Sequence, residues 1–407
     1  MTQAGLSVSA QSKAHTAQTI EVSPLTAAHF DDIRPYNGDE FPAIFSRLLE
    51  DREFVDTLAS MKFSRLFRWL PWLLRPLIRN AMKRSFADVN DLAAFQSILG
   101  VQLQKLLDKD GSQLTVRGLD KLDPEQSYLF ISNHRDIAMD PALTILALHQ
   151  QGMDSLRIAI GDNLLSKPFV CDLMRLNKSF IVRRSVAGRR EKLAALKHLS
   201  AYIRFSLQEE HQSIWIAQRE GRAKDGLDGT ETALLKMLAL CKSKNESFGE
   251  ALKSLNVVPV SLSYEWDPCD DVKAKELFVH QAEGGYEKGE HEDIASIYQG
   301  IVGNKGHIYI TFGDLLSEPF NDAASMAAEV DRQIIGNYRL QASHWVAYER
   351  LHGLSVQAAQ ERQGLDADWE AVARNFDARL AAIPEAHRET LLAAYANPVV
   401  QYLQLNT

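Results

Sequence analysis

Between residues 113 and 317 the chain alternates short, nearly unbroken apolar runs with longer segments whose apolar residues recur at helical spacing. The runs are LTVRG (114–118), YLFIS (128–132), LRIAI (156–160), SFIVR (179–183), SIWIA (213–217), VVPVSLSY (257–264) and HIYITFG (307–313). Their β-branched and aromatic content predicts strands, and interiors without a polar alternation predict cover on both faces. Helical spacing is read at 138–150, 188–209, 230–242 and 248–255. A repeated order of strand, loop and helix predicts an α/β domain around a largely parallel sheet. Pro259 interrupts its run, which marks an edge strand or a bulge.

The flanks read differently. Residues 1–60 form an N-terminal tail and helical lead-in; the opening 23 residues have no apolar core after a basic start, so no secretory signal is read there. Residues 61–112 form an amphipathic helical segment. Within it, KFSRLFRWLPWLLRPLIRNAMKR carries Lys62, Arg65, Arg68, Arg75, Arg79, Lys83 and Arg84 with no acidic residue, and Pro71 and Pro76 divide it into short helical pieces. Clustered Trp and Leu among unbroken positive charge suit the headgroup layer of a membrane; a helix pair packed on the core with a solvated basic face is the alternative. Residues 318–407 are alanine-rich and helical, a C-terminal appendix whose default role is packing or oligomerisation and whose alternative role is partner binding. No run of 18 or more uncharged apolar residues occurs, so any membrane association is expected to be peripheral, at the cytoplasmic face.

Composition narrows the field. Across 407 residues, 45% are hydrophobic and 24% charged, the mix of a packed globular protein, and a formal net charge of -8 argues against a nucleic-acid binder. Cys171, Cys241 and Cys269 form no C-x-x-C pair, so neither a disulfide framework nor a cysteine zinc site is expected. The sequence has no H-E-x-x-H and no glycine-rich nucleotide fingerprint after a strand, so no metal or nucleotide cofactor is expected.

Chemistry concentrates at strand ends. SNHRDIAMDP (132–141) places His134 directly after a strand, on the sheet edge where open α/β folds bind ligands, with Asp136 and Asp140 following. A histidine oriented by a carboxylate acts as a general base; an ordinary structural His–Asp pair is the competing reading. AQREGRAKDG (217–226) joins Glu220, Gly221, Arg222 and Lys224 in a loop whose glycine allows close backbone approach to an anion and whose Arg offers a fork to phosphate; a solvated turn is the alternative. NKSFIVRRS (177–185) brings Arg183 and Arg184 to a strand end.

In order and spacing these blocks, NHRDIAMD, SFIVRR, AQREGRAKDG and VVPV, resemble the glycerolipid acyltransferases, the superfamily of glycerol-3-phosphate and lysophosphatidate acyltransferases, over residues 114–266. Two departures stand out. The family separates its His and Asp by four residues, whereas five lie between His134 and Asp140; a helix would set such a pair about 120° apart, so the two meet only if the extra residue is taken up in the loop before the helix. Ala217, Gln218 and Arg219 precede Glu220 where the family has an aromatic residue and proline. The resemblance implies that His134 deprotonates an acceptor hydroxyl, that Asp140 orients it with Asp136 in reserve, and that Arg183, Glu220, Gly221 and Arg222 hold the acceptor phosphate. The acyl donor would be acyl-CoA or acyl carrier protein, and the partner surface a membrane. Rival expectations are transfer to a lyso-aminolipid, a membrane-binding module without catalysis, and a lipid hydrolase, for which the G-x-S-x-G elbow is absent.

Overall fold

The computed structural model describes residues 26–407 apart from residues 68, 88, 90, 166, 290 and 291, and of residues 61, 62 and 64–67 the backbone only. The N-terminal tail and the side chains of Lys62, Arg65 and Arg68 thus lie outside the described residues.

Seven strands form one sheet: β1 (Gln113–Arg117), β2 (Leu129–Ser132), β3 (Arg157–Gly161), β4 (Ser179–Val182), β5 (Ile214–Ala217), β6 (Val257–Tyr264) and β7 (His307–Phe312). Their order is β1-β7-β6-β2-β5-β3-β4, parallel throughout except where β7 runs antiparallel to β6. All seven apolar runs are strands, and β2 shows why they read without alternation. Leu129 and Ile131 enter one core cluster and Phe130 the opposite one, so both faces of the strand are buried. Helices Arg189–Gln208, Thr232–Leu238 and Ala323–Asn337 contribute to the first cluster; Leu92–Asp110 and Met139–Gln150 contribute to the second.

Two prolines behave differently from expectation. Pro259 lies in an inner strand, opposite Ile131 of β2, and not at an edge. It is tolerated because the β7 ladder starts only at Val260, and at Pro259 that side asks for an acceptor, which takes the Gly313 N–H at 2.8 Å. Pro76 does not divide the basic segment: Pro71–Ser85 is one helix with Pro71 at its start and Pro76 inside it. Leu74 and Ile78 of that helix are buried, and Arg75 pairs with Asp56 of helix Arg52–Phe67 at 2.6 Å, tying the two together across the break. With Phe41–Glu50 and Pro168–Leu176 they build a third apolar cluster beside the sheet. Leu92–Asp110 lies within the segment 61–112 read as helical, whereas the helices Pro168–Leu176, Asp270–Glu283 and Glu292–Val302 escaped the sequence pattern.

The C-terminal helices are tied into the domain. Ala323–Asn337 covers the sheet, and Ala342–His352, Trp369–Ala381 and Glu385–Leu405 close around Trp266, just past β6, with Ala274 of Asp270–Glu283. No helix among the described residues is long and apolar enough to cross a membrane.

Candidate active site

β2 delivers its last residues to the carboxyl edge of the parallel strands, and Asn133 extends the ladder with its side chain. Its Nδ2 donates to the Leu262 carbonyl at 3.0 Å, and its Oδ1 accepts from the Leu262 N–H at 2.8 Å. A side-chain amide here stands in for a peptide unit and fixes where the next residue, His134, begins.

The five-residue spacing is absorbed before the helix, which starts only at Met139. His134 Nδ1 therefore reaches Asp140 Oδ2 at 2.7 Å. A carboxylate only accepts, so Nδ1 carries the proton, and Nε2 has no partner among the described residues. Asp140 is fully buried and also accepts from the backbone N–H groups of Arg135 (2.6 Å) and Asp136 (2.9 Å) and from the Tyr264 hydroxyl (2.7 Å). Burial alone raises a carboxyl, but the His134 and Tyr264 hydrogen bonds outweigh it and hold Asp140 below its ordinary value. Tyr264 is itself pushed well up, first by burial and then by the facing Asp140 charge, so it stays a donor. Asp136 does other work. Its Oδ1 accepts from Ala138 and Met139 N–H at 3.0 and 2.9 Å, capping the helix start, and burial pushes its carboxyl up.

Tyr264→Phe removes one donor from Asp140 and nothing else of comparable size. Its expected effect is a fall of about tenfold in kcat with KM unchanged, the scale of one hydrogen bond to a charged group. Steady-state kinetics beside a thermal melt read this, and a kcat equal to wild type would rule out a positioning role.

The loop after β5 lies against the histidine. The Ala223 N–H donates to the His134 carbonyl at 2.8 Å, and Gly221 and Gly226 turn the backbone at φ of 77° each. Beneath it, Arg135 is buried and pairs with Asp228 at 2.6 Å, donates to the carbonyls of Ala223 and Gly226 at 3.2 Å each, and lies over the Tyr338 ring. Gln218, at a position where the resembled family has another residue type, is buried and donates to Asp228 Oδ1 at 3.2 Å.

A cavity of about 610 Å³ opens beside His134. It follows β3 from Ile158 to Gly161 and is walled by Met139, Ile145 and Leu146 on one helix, Leu99, Leu103 and Leu106 on another, and Ile297 and Ile301 on a third. Trp215 forms part of the wall and meets the His134 ring edge-to-face at 5.4 Å. Near the histidine the lining turns basic with Arg184, Arg219, Arg222 and Lys224. Arg222 Nη1 is buried with no hydrogen-bond partner among the described residues.

The expected site residues therefore separate. His134, Asp140, Gly221 and Arg222 converge. Glu220 sits at the rim, exposed, and pairs with Arg184 at 3.0 Å. Arg183 is not brought to the cavity: it pairs with Asp32 at 2.9 Å, and its neighbour Arg184 faces the site instead. Consecutive residues leaving a strand point to opposite sides, so the arginine pair alone does not say which one serves the site. Tyr264, Arg135 and Asp228 escaped sequence reasoning. Tyr264 offered a faint signal, a polar tip closing an apolar strand.

A family model described as Acyltransferase matches residues 113–262. Among solved structures, the chain is similar to the crystal structure of the 1-acyl-sn-glycerophosphate (LPA) acyltransferase, PlsC, from Thermotoga maritima, at a TM-score of 0.37 and 14% identity, over 70% of this chain and 91% of that one. No curated protein sequence matches it.

Proposed function

We propose, from the premise that this chain is an acyltransferase with its family domain at residues 113–262, that it moves a fatty acyl group from acyl-CoA or acyl carrier protein to a hydroxyl of a glycerol phosphate or lysophospholipid at a membrane surface. The observation that carries this reading is a His–Asp pair set where one cavity changes from an apolar wall to a basic one. An acyl chain suits the first wall and a phosphate the second.

In the proposed reaction His134 Nε2 takes the proton from the acceptor hydroxyl as its oxygen bonds to the thioester carbonyl carbon. The tetrahedral adduct collapses with cleavage of the C–S bond, and the imidazolium returns the proton to the leaving thiolate. Asp140 keeps the proton on Nδ1 and stabilises the imidazolium. Arg222, with Gly221 giving the backbone room, holds the phosphate so that its hydroxyl meets Nε2.

A lipid surface as the place of work is supported by helix Pro71–Ser85 and the turn before it. Trp69 and Trp72 are 79% and 67% exposed, Leu73 and Leu77 project beside them, and Lys83 and Arg84 lie exposed on the last turn. Apolar rings flanked by cations match a headgroup layer.

The test is transfer of labelled palmitoyl or oleoyl groups from CoA and carrier thioesters to a panel of glycerol phosphates and lysophospholipids in anionic vesicles. Product from phosphorylated acceptors, with KM raised about tenfold or more in Arg222→Ala, is expected. Product from no acceptor would overturn the reading. Trp72→Ala combined with Leu77→Ala is expected to leave the protein in the supernatant when those vesicles are sedimented.

A further inference from the structure

The helix Glu385–Leu405 begins more than 120 residues after the segment that the acyltransferase family model matches, yet it grips the loop that carries Gly221 and Arg222. Gln401 clasps the Asp228 backbone from both sides, accepting its N–H at 2.7 Å and donating to its carbonyl at 2.7 Å. One turn earlier, Asn397 donates to the Asp225 carbonyl at 2.7 Å. A spacing of four puts both amides on one helix face. Pro398 lies on the same helix, and having no N–H it leaves the Ala394 carbonyl without its usual donor. Gly226 fits against that bared carbonyl, where a Cβ would stand 2.0 Å from the oxygen.

We infer that Gln401 and Asn397 are positioning residues, and that the C-terminal helix is a clamp that sets the phosphate-binding loop at its working distance from His134. The inference rests on the proposed role of Arg222. The clamp acts through two short links: the Asp228 carboxylate holds buried Arg135, next to His134, and the Ala223 N–H is bonded to the His134 carbonyl. Releasing Asp228 lets the loop that bears Arg222 drift, whereas Asp140 and Tyr264 keep the histidine in place from the other side. The clamp therefore governs acceptor binding more than the chemical step.

The experiment compares full-length wild type with Gln401→Leu and Asn397→Leu in steady-state transfer to glycerol 3-phosphate or lysophosphatidate, with glycerol 3-phosphate binding followed directly by calorimetry. For Gln401→Leu, KM and the calorimetric Kd are expected to rise about tenfold, the scale of losing a backbone hydrogen-bond pair, with kcat within about twofold. Asn397→Leu, which loses one bond, is expected to show about half that effect on the logarithmic scale. Wild-type KM and Kd in both variants would overturn the clamp while leaving the acyl-transfer reading intact. Parallel loss of kcat, KM and melting temperature in both would also overturn it, as general destabilisation. If wild type bound glycerol 3-phosphate but transferred no acyl group, the functional reading would fall and the binding measurement would still decide on the clamp.

Discussion

His134→Ala is expected to lower acyl transfer by about 10³-fold or more while the protein still folds, because general base catalysis alone contributes about 10²–10⁴-fold. The ring is only partly buried and supports no β-ladder contact, so its loss leaves the Asp140 hydrogen bonds from Arg135, Asp136 and Tyr264 in place. Asp140→Asn should cost nearly as much. Every group facing Asp140 is a donor, so an asparagine must turn its NH₂ toward at least one of them or toward the imidazole, and the tautomer with Nε2 free to accept is no longer enforced. Asp136→Asn is the control: its oxygen can still cap Ala138 and Met139, and asparagine caps about as well as aspartate, so turnover should stay within about twofold with little change in stability. A labelled-lipid assay on the three variants decides between them, and full activity in His134→Ala would end the catalytic assignment.

Asp140 carries a pH signature as well. Its folded value lies below the unfolded carboxylate value, so its contribution is present above about pH 4 and fades as pH falls through the depressed folded value. Asp140→Asn should therefore unfold less steeply with acid than wild type over that range. Urea melts from pH 6 downward test the sign.

What the sequence revealed and what it concealed divide along one physical line. Strands were legible because the seven strands of one largely parallel sheet carry short, nearly unbroken apolar runs, and His134 was legible because it follows one of them directly. The meeting of His134 with Asp140 depended on where a helix begins, and it begins at Met139, late enough to absorb the extra residue. Arg183 and Arg184 differ by one position in a strand exit, which no pattern resolves when both are arginine. Contacts between distant segments left no local mark: Tyr264 meets Asp140 across 124 positions, and Gln401 meets Asp228 across 173. Helix Asp270–Glu283 was hidden for a different reason. It buries few apolar residues and covers a polar interior, with Lys273 paired to Asp267 and donating to the Arg135 carbonyl at 2.6 Å, so its sequence lacks a broad apolar stripe.

That polar interior sets the largest expected loss of stability. Arg135 is charged and buried, and Asp228 is the carboxylate that neutralises it, with the side-chain amides of Asn133 and Gln218 donating to that carboxylate at 3.3 and 3.2 Å. Asp228→Ala leaves a guanidinium in the interior without its counter-charge, an error worth about 3–5 kcal/mol, a large part of a domain's total stability. Truncating both partners, as Arg135→Met with Asp228→Leu, removes the stranded charge and should recover more than half of that loss, because a buried pair is costly to break yet cheap to replace. The double variant should not recover acyl transfer. The carbonyls of Ala223 and Gly226 lose their donor in it, and the loop holding Arg222 loses its tie to the residue beside His134. Urea unfolding of the wild type, both single variants and the double variant, read as a thermodynamic cycle, measures the coupling. A cost below about 1 kcal/mol for Asp228→Ala would mean that water reaches the pair, and would remove the link from the C-terminal helix to the loop that carries Arg222.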